Sequence, residues 1–292
     1  MKQVFLIHAH KDLDQINALV GHLLDDDFDV WINLDRKSTV DPARLHPGAR
    51  RVERRIDVRW GDFSQVEATL NSLREIAAAV PAFDKVVFLS AQDFPLLPNP
   101  RLKQELARLS GRELLDVVPV AADGWPVAFR YQYFHRAPSR AARLACALAN
   151  RVLRLSGRQR PMVAGMTPWG GSSWWALSRG CLLELLARVA AEPAIVRFFR
   201  TVLCPDELFF QTLVMNSRWR DRVLAQNFRY IKWPAQAAPN PRVLEEGDFE
   251  AIRASDAHFC RKLDSTLSAT LLARLVALRA SRARHPARPA SD

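Results

Sequence analysis

The sequence predicts an α/β fold with a mostly parallel central sheet flanked by helices. Three observations predict it. Residues 3–8 are a short, continuous apolar run of the kind found in strands buried on both faces, and 85–90 (KVVFLS) read as another buried strand. A stretch with helical spacing separates the first of them from a second β-rich run, and β-α-β order argues for parallel strands. Short polar blocks stand at the ends of these strands, where open α/β sheets bind ligands.

The elements follow in order. Residues 11–24 place Leu13, Ile16, Leu19, Val20 and Leu23 on one helical face, and 28–34 (FDVWINL) form a strand that ends at Asp35. Residues 64–80 open with Ser64-Gln-Val-Glu67, the pattern of a capping box, and continue as an apolar-periodic helix. After the third strand, 100–110 read as helix, 115–120 as a short strand and 138–157 as an Arg/Ala/Leu-rich helix with a basic face. Residues 160–172 (PMVAGMTPWGGSS) are dense in turn formers and read as a surface loop. A strand at 173–177, helices at 179–190 and from Pro205, a strand at 228–233, a loop at 234–245 and a helix at 267–279 complete the pattern. No repeat or linker interrupts it, so a single domain over 1–278 is expected.

The chain has 292 residues, 49% hydrophobic and 25% charged, enough to bury a sizeable core. Lys and Arg outnumber Asp and Glu by 42 to 31, a net charge of +11. Part of the excess lies after Leu278, where Arg279, Arg282, Arg284 and Arg288 face only Asp292 in an Ala/Ser/Pro context. That composition cannot bury a core, and 279–292 are expected to be a basic disordered tail. Cys146, Cys181, Cys204 and Cys260 show no metal-type spacing and read as reduced thiols. The opening residues contain no apolar segment followed by a small-residue cleavage site, and no run approaches the ~20 residues of a membrane span. A cytoplasmic location is expected.

Each polar block has a functional and a structural reading. Asp35-Arg36 could bind a base or ribose, or cap a helix. Gln92-Asp93 before Phe94-Pro95 suits a turn as well as a site. Trp174 and Trp175 are adjacent, so in a strand they face opposite sides, one toward the core and one available to stack on a sugar. Pro205-Asp206-Glu207 has the composition of a first helical turn; Glu207 also precedes an apolar run that could tune a general base. Arg229, in a strand-like run, and Arg261-Lys262, after Phe259-Cys260, need anionic partners, either a ligand or a buried carboxylate. There is no G-x-G-x-x-G after the first strand and no G-x-x-x-x-G-K-[ST], which disfavours dinucleotide and P-loop sites. His8/His10 are the closest histidine pair and read as strand end and loop.

Together the blocks resemble the core-2/I-branching N-acetylglucosaminyltransferases, a family that also contains the peptide O-xylosyltransferases. The similarity rests on Asp35-Arg36-Lys37-Ser38, Trp60-Gly61 with Ser64, Leu89-Ser-Ala-Gln-Asp93-Phe-Pro-Leu96, Gly171-Ser-Ser173-Trp174-Trp175-Ala-Leu-Ser-Arg179, Pro205-Asp206-Glu207 and Phe259-Cys-Arg261-Lys262-Leu-Asp264. It implies a GT-A-type fold, with a nucleotide-binding part over about 1–120 and an acceptor part over about 121–278. It also implies inverting transfer of GlcNAc or xylose from UDP-GlcNAc or UDP-xylose to a glycan hydroxyl, without a divalent metal or other cofactor. By resemblance Glu207 is the base. Arg229 and Lys262 balance the diphosphate, joined at the donor by Asp35, Arg36, Trp60, Gly61, Ser64 and Arg261. Gln92, Asp93, Ser173, Trp174, Trp175 and Asp206 fall on the acceptor or sugar side.

Departures from the family pattern are Ala91 for a frequent Gly and Leu263 for an aromatic; residues 122–170 take no role by analogy. The alternative is a protein that keeps the fold but only binds carbohydrate or nucleic acid. An intact base and cation set argues against that alternative, and nucleic acid is not an expected partner. A lipid-linked glycan acceptor would suit peripheral contact with an anionic membrane on its inner face, through Arg140, Arg143, Arg151 and Arg154 and the apolar residues among 144–153.

Overall fold

The computed structural model describes residues 2–135, 139–234 and 240–284. The chain opens with β1 (Gln3–Ala9), α1 (Leu13–Leu23) and β2 (Phe28–Leu34). Asp12 starts α1 by accepting from the Gln15 amide at 3.1 Å, and Ile16, Leu19, Val20 and Leu23 are buried as their spacing predicts. After β3 (Arg50–Arg51), α2 (Ser64–Ala79) leads to β4 (Lys85–Ser90). The expected capping box does not form. Asp62 accepts from the Ser64 amide at 2.8 Å, while the Ser64 hydroxyl accepts from the Arg59 amide at 2.9 Å.

The middle of the chain supplies β5 (Phe94–Pro95), α3 (Asn99–Arg108), β6 (Glu113–Leu115), β7 (Val118–Pro119), α4 (Phe129–Gln132) and α5 (Arg140–Leu155). Next come β8 (Trp169–Gly170), β9 (Trp175–Ser178), α6 (Arg179–Ala191), α7 (Pro193–Phe199), α8 (Phe209–Met215) and β10 (Val223–Leu224). The last elements are β11 (Arg229–Ile231), α9 (Phe249–Ala254), β12 (Phe259–Arg261) and α10 (Ala269–Arg284). The helix expected from Pro205 is a single 3-10 turn over Pro205–Glu207, with α8 starting only at Phe209.

Seven strands form the main sheet in the order β10-β6-β9-β4-β1-β2-β3. β1 pairs in parallel with β2 and β4, β2 with β3, and β6 with β10. β9 runs antiparallel between β4 and β6. The fold is therefore mixed α/β with a mostly parallel sheet. Alternation along the strands divides the core in two. Phe5, Ile7, Val87 and Leu89 pack with Ile16 and Leu19 of α1 and Leu102 and Leu106 of α3. Val4, Leu6, Val86 and Phe88 pack with Val66 and Leu70 of α2, Leu182 of α6 and Phe209 of α8. Burial on both faces is why residues 3–8 read as an unbroken apolar run.

A small sheet, β11-β12-β5, packs beside this body over a third cluster of Phe94, Leu244, Ile252, Cys260, Leu271 and Leu275. It brings the end of β12 toward the carboxyl ends of β1 and β4, because β5 follows β4 directly. The expected tail starts too early in the sequence. α10 runs on to Arg284, and Arg279 donates to the carbonyls of Leu97 at 3.0 Å and His22 at 2.8 Å. Residues 285–292 of that tail lie outside the described residues. Among the described residues no helix is long and apolar enough to cross a membrane.

Candidate active site

A cleft of about 510 Å³ opens at the carboxyl ends of β1, β2 and β4. His8, Ala9 and His10 come from the end of β1, Asn33 and Asp35 from β2, and Ser90, Ala91 and Gln92 from β4. Lys11, Lys37, Trp60, Gln65, Trp174, Arg261 and Lys262 line the rest, together with Asp12, Gln15, Val58 and Asn240. The volume falls within the ~300–1,000 Å³ usual for small-molecule sites.

The charge balance of this cleft is uneven. Asp35 accepts from the Lys37 amide at 3.0 Å and pairs with the Lys37 ammonium at 3.3 Å. Lys11 pairs with Asp264 at 3.4 Å. His8 is held neutral, its pKa pushed down to about 3 by burial, and His10 is lowered by burial and then by Lys11. At the β12 end, one buried carboxylate serves two buried guanidiniums. Asp93 lies 3.5 Å from Arg229 Nε and 3.6 Å from Arg261 Nε. Burial lowers both arginines, Arg229 to about 10. Arg261 lines the cleft, lies 4.1 Å over the Trp174 ring, and leaves Nε and Nη1 buried without a hydrogen-bond partner among the described residues. Lys262 follows directly, and burial, then Arg261 and Lys11, hold its pKa down. A surplus of positive charge with unmet donors is costly unless an anion completes it.

Several residues take other places than the sequence suggested. Arg229 does not line the cleft: its side chain is 1% exposed, and besides Asp93 it bonds the carbonyls of Asn227 and Phe88. Asp93, expected on the acceptor or sugar side, is buried and is the internal partner of these arginines. It also accepts from the Ser90 amide at 3.3 Å. Trp175 is fully buried between Phe88 and Phe210, at 5.1 and 5.0 Å, so it is the core member of the tryptophan pair and Trp174 the cleft member. Arg36 is exposed and outside the cleft lining; its backbone amide donates to the Ile56 carbonyl at 2.9 Å and its carbonyl accepts from Arg55 Nη2 at 3.4 Å. Gly61 and Ser64 are likewise outside the lining. Gly61, at a φ of 67°, accepts from the Cys204 amide at 3.1 Å and so ties the Trp60 loop to the Pro205 turn. Gln92 lines the cleft while its amide donates to the Leu263 carbonyl at 3.2 Å.

Ser173, Asp206 and Glu207 lie outside the cleft lining, and the acidic turn is joined to the cleft through Gln65. Gln65 lines the cleft and donates to Asp206 Oδ2 at 3.0 Å, and Ser173, beside Trp174, donates to the same oxygen at 2.6 Å. Burial first, and Glu207 second, raise Asp206 to about 6. Glu207 comes next in the chain. Its surroundings are not the apolar ones the sequence suggested: Arg130 of α4 ion-pairs with its Oε2. Arg130 in turn lies 4.8 Å over Trp125. No hydrogen bond engages Glu207 Oε1 among the described residues, so that oxygen remains an acceptor.

Sequence reasoning missed Lys11, Gln65 and Arg130. Lys11 had a signal, since it stands just past a strand end. Arg130 had none, because its partner lies far along the chain. Among the described residues no group of three or more His, Cys, Asp or Glu side chains is placed to hold a metal ion.

A family model described as Core-2/I-Branching enzyme matches residues 4–254. "Xylosyltransferase" of Ciona intestinalis is 23% identical over 79% of this chain and 26% of its own length. "N-acetyllactosaminide beta-1,6-N-acetylglucosaminyl-transferase" of Mus musculus is 28% identical over 69% of this chain and 51% of its own. "Xylosyltransferase 2" of Homo sapiens is 23% identical over 92% and 32%. The chain thus spans about a quarter to a half of the length of these relatives. Arg261 and Lys262 lie beyond the family match, and their place in the cleft rests on geometry. From β1 to the end of α9 the match covers the strand ends, the tryptophan pair and the acidic turn, and the chain belongs to the Core-2/I-branching enzyme family.

Proposed function

We propose that this chain is an inverting glycosyltransferase of GT-A type that moves GlcNAc or xylose from a UDP-sugar to a hydroxyl of a glycan acceptor. The observation that carries the reading is the cleft lining, in which Lys11, Lys37, Arg261 and Lys262 stand against Asp12 and Asp35, with Arg261 sharing the Asp93 carboxylate with Arg229. That arrangement leaves net positive charge and unmet donors at the cleft, suited to a diphosphate. In the proposed reaction the acceptor oxygen bonds to the anomeric carbon as the bond to the UDP oxygen breaks on the opposite face. Glu207 Oε1 takes the acceptor proton, while Arg130 on Oε2 fixes the carboxylate. The electron pair leaves on UDP, where Arg261 and Lys262 offset the growing charge in place of a divalent cation. Trp174, held against Arg261 and Phe88, offers a ring at the sugar end. Arg229 acts through Asp93 and positions Arg261.

The test is a panel of UDP-sugars assayed for hydrolysis and transfer, with EDTA and with manganese, on the native chain and on Glu207→Gln. UDP-GlcNAc or UDP-xylose should turn over in EDTA, and the Gln variant should bind donor normally while losing ~10²–10⁴-fold in turnover. Activity lost in EDTA and restored by manganese would overturn the metal-free mechanism. Full turnover by the variant would remove Glu207 as the base, and donor binding without any turnover would favour a binding protein.

A further inference from the structure

α5 buries none of its residues, yet it carries a regular apolar stripe. Leu144, Leu148, Val152 and Leu155 are 73%, 65%, 56% and 80% exposed. Their spacing of four, four and three places them on one helical face. The helix meets the body through the other side, where Asn150 exchanges two 2.9 Å hydrogen bonds with the Phe134 backbone. Arg140 and Arg151 border the stripe on one side, with Arg143 and Arg154 further round on that side and Arg154 5.2 Å over the Tyr133 ring, and 140–155 contain no Asp or Glu. None of the four makes an ion pair among the described residues. Phe134 lies two residues past α4, and Arg130 of α4 holds Glu207. α5 is thus tied, through Phe134, to the segment that follows α4.

We propose that α5 docks this chain on an anionic lipid bilayer, inserting Leu144, Leu148, Val152 and Leu155 at the headgroup boundary while the arginines engage acidic headgroups. The charge pattern selects this occupant. A helix with an apolar stripe and an arginine flank matches an anionic interface. A second copy packed α5 on α5 would set two uncompensated arginine rows against each other. Docking would hold the chain at the surface on which a lipid-linked acceptor presents its glycan. That last consequence rests on the glycosyl-transfer reading; the docking does not.

The experiment is co-sedimentation of the full chain with phosphatidylcholine vesicles, with and without phosphatidylglycerol, at low and high salt. Binding to the anionic vesicles, weakened by salt and at least about tenfold lower on neutral ones, is expected. Leu148→Asp/Leu155→Asp should abolish it. Arg140→Gln/Arg151→Gln should lower it roughly 20- to 30-fold. All four side chains are exposed, and a thermal melt of each variant is the control for folding. Absence of binding to anionic vesicles at low salt, or binding unchanged in both variants, overturns the inference. So does self-association abolished by Leu148→Asp/Leu155→Asp, which would show that a second copy covers the stripe. Sedimentation needs no turnover: vesicle binding by a chain inactive on every donor would sink the transferase reading alone.

Discussion

Lys262 lines the cleft and Asp93 is buried behind it, next to the lining residue Gln92, and the two answer to different forces. Asp93 is the buried counter-charge of Arg229 and Arg261, so replacing its carboxylate strands two guanidiniums in a desolvated place. Breaking a buried ion pair by removing one partner typically costs ~3–5 kcal/mol. Asp93→Asn should therefore lower the stability measured by urea unfolding by about that amount. A loss below ~1 kcal/mol would mean that solvent or neighbouring dipoles already compensate these arginines. Lys262 is half-buried and makes no ion pair among the described residues, and its pKa is held down by burial, Arg261 and Lys11. Lys262→Ala relieves that repulsion and should leave the urea midpoint nearly unchanged. Its effect belongs in calorimetric titration with UDP, where losing one charge-assisted bond should cost about 1.5–3 kcal/mol. Equal UDP affinity in the two proteins would take Lys262 out of the anion site.

At the scale of elements, α10 shows what composition conceals. Its end is Arg- and Ala-rich with almost nothing apolar, which reads as disorder. What orders it is non-local. Leu271 and Leu275 pack into the third core cluster, and Arg279 then reaches the carbonyls of Leu97 and His22 and Asn99 Oδ1. Arg282 reaches the Leu96 carbonyl at 3.1 Å. These guanidiniums satisfy chain ends around β5 and α1 that would otherwise be left open. Arg279→Ala should cost about 2–3 kcal/mol, the order of a lost set of bonds to a charged donor. It should also raise hydrogen exchange at the end of α1 and the start of α3. Unchanged stability would return residues 279–284 to the role of a passive tail. The capping box at Ser64 failed for the opposite reason: Asp62, two residues upstream, was the better local acceptor, and the sequence pattern alone did not rank the two.

Across the whole molecule, what the sequence made legible is what short stretches determine. The parallel strands, α1 and the polar strand ends that line the cleft all follow from local spacing. The split between Trp174 and Trp175 follows from strand geometry alone. What stayed hidden depends on partners distant in the chain: Arg229 with Asp93, Arg130 with Glu207, Gln65 with Asp206. The same distinction governs acid sensitivity. His258 is 4% exposed, stacked on Phe228 at 4.3 Å, and its pKa is lowered from 6.5 to about 4 by burial, partly offset by Glu105. Between those values the unfolded chain binds a proton that the folded chain does not, so stability falls as pH drops through the window. The loss is about 1.4 kcal/mol per pH unit, about 3 kcal/mol across it. Asp206 has the opposite sign: its pKa is raised from 3.8 to about 6, so the folded chain binds the extra proton and gains stability as pH falls toward 3.8. Urea unfolding from pH 7 to 4 should therefore show a shallower acid loss for His258→Gln than for the native chain, and a steeper one for Asp206→Asn. Parallel profiles for all three proteins would mean that neither group carries the shift its burial imposes.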